Sequence, residues 1–323
     1  MRVVRAVQFG KPDVLVVEQA PDPEAGPGEV VVAVRVVPLL FLDTQIRRGW
    51  GGAWFTLEPP YVPGSAAAGE VVSAGQGVDP AWVGRRVVTD TGTQGSYLQL
   101  VAVPVENLVA VPEGLGLQEA AALMYDGRTA MRLAELFPVR PGECVLVLAA
   151  AGGLGSLLVQ LGHAAGGRVI GAAGGKRKVD LVRELGADAV VDYTEPGWAG
   201  QVRALTGGSG PDVVFDGAGG EIGREAFEMT AEGGMFSAHG SPGDAFAPIR
   251  PEEARSKGVM LSGIEQVRLS GAEARRLTAQ ALAEAVAGRV RPVIGRVFPL
   301  ERAGDAHAEM EGREILGKAL LLV

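Results

Sequence analysis

The stretch Cys144–Gly155, CVLVLAAAGGLG, runs an apolar strand into a glycine-rich turn. The turn opens a helix expected from Leu154 to about Ala165. Ala150, Gly152 and Gly155 occupy the three positions of a G-x-G-x-x-G turn, with Ala at the tight-turn position. A glycine at the second position lets the backbone approach a pyrophosphate, and one at the third lets helix and strand pack closely. The helix start offers unpaired N–H groups and a positive dipole end to phosphate. A glycine turn alone also fits an ordinary strand-to-helix connection. The surroundings decide, because strand-and-helix units continue for over a hundred residues.

Downstream the order is strand CVLVLAA, helix LGSLLVQLGHAAG, strand RVIGAA, helix KRKVDLVRELG, strand AVVDY, helix AGQVRALTG. Strand PDVVFDGAG, helix EIGREAFEMTA, strand GGMFSAHG and a last strand, GVMLSGI, follow. Six strands with intervening helices predict an α/β fold with a doubly wound parallel sheet. Upstream, RVVRAVQF, VLVVEQ and EVVVAVRVV alternate like strands between Pro/Gly turns, and further strands run from 65 to 111. That half predicts a small, twisted, largely antiparallel sheet. Helical periodicity runs from Leu117 to about Phe137, with a break expected at Asp126–Gly127. The tail predicts a helix (Ala272–Ala287), a strand (Val290–Phe298), a helix (Glu301–Gly312) and a final strand, GKALLLV, returning to the first sheet. The expected division is 1–120, completed by 267–323, against 121–266.

Residues 37–64 are broken by Pro and Gly, with one helical turn expected at Leu42–Arg48. Trp50, Trp54, Phe55 and Tyr61 fall here and fit either an apolar substrate wall or a satellite core cluster.

Composition narrows the partners. The 323 residues carry a net charge of −8 and no basic stripe, so neither nucleic acid nor an anionic membrane surface is expected. No stretch of about 18 apolar residues occurs, and the first residues lack the apolar core of a secretory signal. The single cysteine, Cys144, allows no internal disulfide and fits a reducing cytoplasm. One Cys and three scattered His (His163, His239, His307) do not make a zinc site, and each His reads as a surface or packing residue.

The second strand ends Gly171-Ala172-Ala173-Gly174-Gly175 with no carboxylate, and Lys176, Arg177 and Lys178 follow. A carboxylate there would bond the ribose of NAD. Small residues and cations instead make room for a 2′-phosphate and pair with it, so NADPH is the expected cofactor.

Several motifs together have a family look: PGSAAAGEVVSAGQGV (63–78), YDGRTA (125–130), AAAGGLG (149–155), KVDLVRELGADAVVDY (178–193), PDVVFDGAGG (211–220) and AHAEMEGREILGKALLLV (306–323). Over essentially its whole length the chain resembles the zinc-free medium-chain dehydrogenases/reductases of the quinone oxidoreductase, zeta-crystallin-like branch. The resemblance implies a Rossmann domain plus a GroES-like catalytic domain. Gly152, Gly153 and Leu154 would lie along the pyrophosphate, and Lys178 would bind the 2′-phosphate in the space left by Gly174 and Gly175. Tyr193 would pack near the adenosine. Ala218, Gly219, His239 and Gly240 would line the nicotinamide by backbone contacts, with Thr129 under the ring. Ser65 and Ala66 stand where zinc-dependent relatives carry His-Glu. The branch's usual Asn-Phe-x-Asp-x-Tyr run is here Leu40-Phe41-Leu42-Asp43-Thr44-Gln45, so Leu40 replaces the Asn and Gln45 the Tyr.

Hydride transfer to a conjugated carbonyl or quinone builds negative charge on oxygen, which needs hydrogen-bond donors when no zinc is present. Gln45, Tyr61, Tyr125 and Thr129 are the candidate donors. Asp43 and Asp126 are candidate organisers or proton relays, or helix caps. The expected activity is NADPH-dependent reduction of a quinone or an α,β-unsaturated carbonyl of apolar, small-molecule type. A reductase dedicated to one biosynthetic enone, or a nucleotide-binding protein without turnover, are the alternatives. The apolar strand GVMLSGI would be an exposed sheet edge in a monomer, so a homodimer is expected.

Overall fold

The computed structural model of the chain describes residues 1–50, 57–241 and 245–323, less the side chain of Thr93. Trp54 and Phe55 therefore lie outside the described residues. In chain order the elements are β1 (Arg2–Ala6), β2 (Leu15–Gln19), β3 (Glu29–Pro38), α1 (Phe41–Arg47), β4 (Ala66–Ala74), β5 (Arg86–Asp90), β6 (Leu100–Pro104), β7 (Leu108–Ala110) and α2 (Leu117–Leu136). Then come β8 (Cys144–Leu148), α3 (Gly153–Ala164), β9 (Arg168–Ala173), α4 (Lys176–Glu184), β10 (Ala189–Asp192), α5 (Trp198–Leu205), β11 (Val213–Asp216), α6 (Gly220–Met229), β12 (Met235–Ala238), α7 (Pro251–Ser256) and β13 (Met260–Ser262). The chain closes with α8 (Gly271–Val286), β14 (Ile294–Pro299), α9 (Ala303–Glu311) and β15 (Lys318–Leu322).

Two compact units divide these elements. One holds Met1–Tyr125, Gly271–Val286 and Pro292–Val323, and the other Asp126–Ser270 with Ala287–Arg291. The division falls inside α2, after Tyr125, five residues beyond the position expected from the sequence. Nor does α2 break at Asp126–Gly127: it is continuous from Leu117 to Leu136. A glycine inside a helix costs only about 1 kcal/mol. Buried apolar residues on both sides of Gly127, among them Leu123, Met124, Met131 and Leu133, outweigh that cost.

In the first unit a seven-stranded sheet runs β14-β15-β3-β4-β5-β7, with β6 also paired to β3. The final strand does return: β15 lies antiparallel to β3, with Leu321 opposite Val37. Its other neighbour, β14, is parallel to it. β3 reads EVVVAVRVVP and is buried at most positions on both faces, as its β-branched run requires. Val32, Val34, Val71, Val87, Val101 and Leu321 belong to one core.

The second unit is the expected doubly wound sheet, six parallel strands in the order β10-β9-β8-β11-β12-β13. Every residue of β8 is buried, as helices on both faces of a parallel sheet demand. The order reverses between β8 and β11. Crossovers leave in opposite directions from that point, opening a crevice at the carboxyl ends of the strands where nucleotides bind. β13 is an outer strand, and its Met260 is 46% exposed. Among the described residues, no helix is long and apolar enough to cross a membrane.

Candidate active site

The glycine turn is built by backbone. Ala149, just past β8, takes the left-handed conformation with φ 50°, and the Gly152 N–H closes the turn on its carbonyl at 2.9 Å. The left-handed residue is thus Ala149, one position before the Ala150 expected at the tight turn. Ala150 is wholly buried, and its N–H donates to the Ala172 carbonyl of β9 at 3.0 Å. A Cβ on Gly155 would stand 2.3 Å from the Ala149 carbonyl oxygen and 2.8 Å from the Ala150 Cα, so helix and strand meet there with no room for a side chain. A Cβ on Gly152 would meet only the Ala149 oxygen, at 3.2 Å. Gly152 is the N-cap of α3 and no side chain caps that end. The first N–H groups of the helix, those of Gly153 and Leu154, are left for an anion such as a pyrophosphate.

A second uncapped helix start follows β9. Gly175, with φ 87°, is the N-cap of α4. Its N–H donates to Asp192 Oδ2 at 2.9 Å, so the end of β10 fixes the turn after β9. Burial pushes the Asp192 carboxyl up, but bonds from the Thr194 hydroxyl and from the Gly175 and Thr194 N–H groups outweigh it and hold the group below its ordinary value. A Cβ on Gly174 would come within 3.1 Å of the Tyr193 ring, which itself sits edge-on to Trp198 with centroids 6.4 Å apart. Lys176 is paired with Asp180, which also takes Arg183. Arg177 has no ion-pair partner among the described residues.

On the other side of the reversal, Asp216 is fully buried at the end of β11. Its Oδ1 accepts the N–H groups of Ala218 (2.9 Å) and Gly219 (2.8 Å), while Oδ2 has no partner among the described residues. Burial pushes this carboxyl up to about 6 against the pull of those two N–H groups. A Cβ on Gly219 would lie 2.6 Å from the Gly240 oxygen, and one on Gly240 would lie 2.3 Å from the Gly217 oxygen. The segments 217–219 and 239–240 are therefore packed backbone to backbone, which brings Ala218, Gly219, His239 and Gly240 together. The hydroxyl of Thr129, on α2, has no partner among the described residues.

In the first unit Tyr61 lies close to a buried polar chain that includes Asp43 and Arg47. Asp43 Oδ2 accepts the Leu40 N–H at 2.9 Å, capping α1. Burial pushes its carboxyl up to about 6, opposed by the Leu40 N–H, by Lys318 and by a hydrogen bond from Tyr97. The Tyr97 hydroxyl lies 2.8 Å from His307 Nε2, and Arg47 Nε donates to His307 Nδ1 at 3.2 Å. A guanidinium only donates, so Nδ1 is bare and the His307 proton sits on Nε2. The bonds then run one way, from Arg47 to His307 to Tyr97 to Asp43. Burial and the neighbouring Arg47 push His307 down to about 3. The Arg47 guanidinium also bonds the Gly10 carbonyl and Glu311. His307 is thus an interior group bonded on both ring nitrogens rather than a surface one.

The other candidates differ in how they are satisfied. The Tyr125 hydroxyl donates to Asp90 Oδ1 at 2.6 Å. The Tyr61 hydroxyl is buried with no partner among the described residues, and burial, with the Asp43 carboxylate adding to it, pushes the phenol up to about 12. Tyr61 packs near Phe9, ring centroids 6.4 Å apart. Gln45 is buried on α1. Arg47, Tyr97 and His307 were not singled out from the sequence. The one local signal was Arg47, a single helical turn after Asp43.

Ala66 has no ligating atom, and among the described residues no group of three His, Cys, Asp or Glu is placed to hold a metal.

Comparison with known proteins agrees with this architecture. Residues 26–113 match the alcohol dehydrogenase GroES-like domain model, and 153–275 match the model described as zinc-binding dehydrogenase. A 2-haloacrylate reductase of Burkholderia is 34% identical over 97% of this chain and 96% of its own. A quinone oxidoreductase of Pseudomonas aeruginosa is 31% identical over 99% and 98%. A mycobacterial protein solved in complex with NADPH superposes with a TM-score of 0.90 at 31% identity, covering 100% of both chains. The chain belongs to the medium-chain dehydrogenase/reductase family, in the branch of the quinone oxidoreductases.

Proposed function

We propose that this chain is an NADPH-dependent, zinc-independent reductase that transfers hydride to a quinone or an α,β-unsaturated carbonyl. The observation that carries the reading is the pair of helix starts without side-chain caps, at Gly152 and Gly175, one after each of two adjacent strands of the parallel sheet. Gly153 and Leu154 bind the pyrophosphate by N–H groups. Gly174 and Gly175 leave room for the 2′-phosphate, and Lys178 pairs with it, where an NAD site would carry a carboxylate. Tyr193 packs by the adenosine, and Ala218, Gly219, His239, Gly240 and Thr129 line the nicotinamide half. The mycobacterial relative solved with NADPH supports the choice of cofactor.

When bound, the cofactor supplies the hydride; the protein orients it, excludes water and meets the charge that develops on the substrate oxygen. Gln45, Tyr61, Tyr125 and Thr129 are the proposed donors, with Asp43 and Asp126 as organisers. Tyr61 is the strongest of them, because its hydroxyl is buried and has no partner among the described residues. The relative named as a 2-haloacrylate reductase acts on an activated alkene, and Leu40 and Gln45 replace the polar pair usual in quinone reductases. Both favour a dedicated enone substrate over a broad quinone range. We further propose a homodimer paired through the outer edge of β13; a monomer by light scattering at micromolar concentration refutes that.

The test is NADPH oxidation by purified protein against small quinones, alkenals and cyclic enones, with NADH in parallel. Turnover with NADPH and little with NADH is expected, and the preferred acceptor separates quinone from enone chemistry. Tight NADPH binding without turnover moves the reading to a narrow biosynthetic substrate or a non-catalytic role. Binding of neither nucleotide overturns the proposal.

A further inference from the structure

His239 follows β12, and its ring meets Ser237 and, through it, Gln266. The Gln266 Nε2 lies 3.2 Å from the Ser262 carbonyl oxygen, and a carbonyl only accepts, so this corner of the amide is its NH2 group. The same nitrogen donates to Ser237 Oγ at 2.9 Å. The Ser237 hydroxyl, with its oxygen accepting from Gln266, has its own proton to give, and His239 Nδ1 stands 3.0 Å away. An acceptor role for Nδ1 in that contact puts the ring proton on Nε2. Burial pushes His239 down to about 4, against an opposite pull from the Ser237 backbone carbonyl, so the ring is neutral at neutral pH. Nε2 has no hydrogen-bond partner among the described residues.

Its place is specific. Nε2 lies 3.5 Å from the point a Cβ on Gly217 would occupy, and the Leu148 carbonyl oxygen is 3.2 Å from that same point. This is the carboxyl edge of β8 and β11, where the strand order reverses. The glycine turn after β8 and the start of α4 take the phosphates and adenosine on the β8–β9 side. The nicotinamide half of a dinucleotide then lies on the β11–β12 side. The fixed acceptor on that half is the carboxamide oxygen.

We propose that His239 donates its Nε2–H to the nicotinamide carboxamide oxygen, and that Ser237 and Gln266 set the tautomer that makes this possible. The proposal rests on the reading of this unit as an NADPH site. It goes beyond backbone lining, because it assigns the side chain a ligand atom.

The experiment measures the affinities of NADP+, thio-NADP+ and 2′,5′-ADP for the wild type, His239→Phe and His239→Gln. The first substitution removes the donor at similar bulk, and the second keeps an N–H. His239→Phe is expected to weaken NADP+ about tenfold, leave 2′,5′-ADP unchanged, and weaken thio-NADP+ less, because sulfur accepts poorly. His239→Gln recovers most of the loss. Equal losses with NADP+ and thio-NADP+ overturn the carboxamide assignment. Unchanged NADP+ affinity in a His239→Phe protein that still binds 2′,5′-ADP overturns the proposal alone. A wild type that binds no nucleotide overturns the cofactor reading with it. If His239→Phe loses 2′,5′-ADP through misfolding, nitrogen NMR of the His239 ring in Ser237→Ala and wild type decides. The proton is expected on Nε2 in the wild type and shared between the nitrogens in the variant, and a wild-type proton on Nδ1 refutes the proposal.

Discussion

The nucleotide unit and the GroES-like unit build their sites from opposite materials. In the first, the proposed phosphate sites are helix starts left without side-chain caps, at Gly152 and Gly175, and at Gly155 helix and strand meet too closely for a side chain. Each turn is a handful of consecutive residues. In the second, four ionisable or polar side chains come from three separate parts of the chain, Asp43 and Arg47 on α1 with Tyr97 and His307, into one dry line. A backbone site loses function when something is added to it, and a side-chain site when something is removed.

Removal from the polar line has the largest expected effect. Arg47→Met leaves His307 Nδ1, the Gly10 carbonyl and Glu311 without their donor, and should destabilise the fold by about 4 kcal/mol in denaturant titration. A loss under 1 kcal/mol would mean that the line is packing rather than wiring.

The next effect is on pH. Asp43 titrates near 6 in the fold against an ordinary 3.8, so its contribution favours the folded state below 3.8 and is lost as pH rises through 6. His307 runs the other way: lowered from 6.5 to about 3, it favours the folded state above 6.5 and that contribution is lost as pH falls through 3. In the wild type the two slopes partly cancel. Asp43→Asn leaves the His307 slope exposed, so between neutral pH and pH 4 the variant should lose about 3 kcal/mol more than the wild type. Parallel pH profiles of unfolding free energy would refute this.

Addition to the glycine turn comes third. Gly155→Ala drives a Cβ into the Ala149 carbonyl and should cost about 2 kcal/mol of stability, with a clear loss of nucleotide affinity. Gly152→Ala, whose closest contact would be 3.2 Å, should be milder for folding while still crowding the pyrophosphate approach. The smallest effect has the opposite sign. Ala149→Gly relieves an alanine held at φ 50° and should stabilise by up to about 1 kcal/mol, read as a rise in the thermal midpoint.

The same contrast explains what could be read in advance. The glycine turn, the six alternating strands and the carboxylate-free end of β9 are local patterns, and local patterns are written in consecutive residues. So is the return of β15, whose apolar run needs a sheet to bury it. The helix break at Gly127 was misjudged because propensity is local while the burial that overrides it is not. The left-handed residue fell at Ala149 because closing the turn onto the Gly152 N–H depends on where β8 stops pairing.

Sequence alone settled the class of fold and the alternation of strands and helices in the nucleotide-binding unit. Short-range sterics and hydrogen-bond geometry govern those. Only the tertiary structure decided that His307 closes on Arg47 and Tyr97 across 260 and 210 residues of chain, and that Ser237 and Gln266 stand in line beside His239 Nδ1. Those arrangements depend on which strands and helices are neighbours in space. Burial then fixes the protonation states, because a group cut off from water must take its partners from whatever the fold brings beside it.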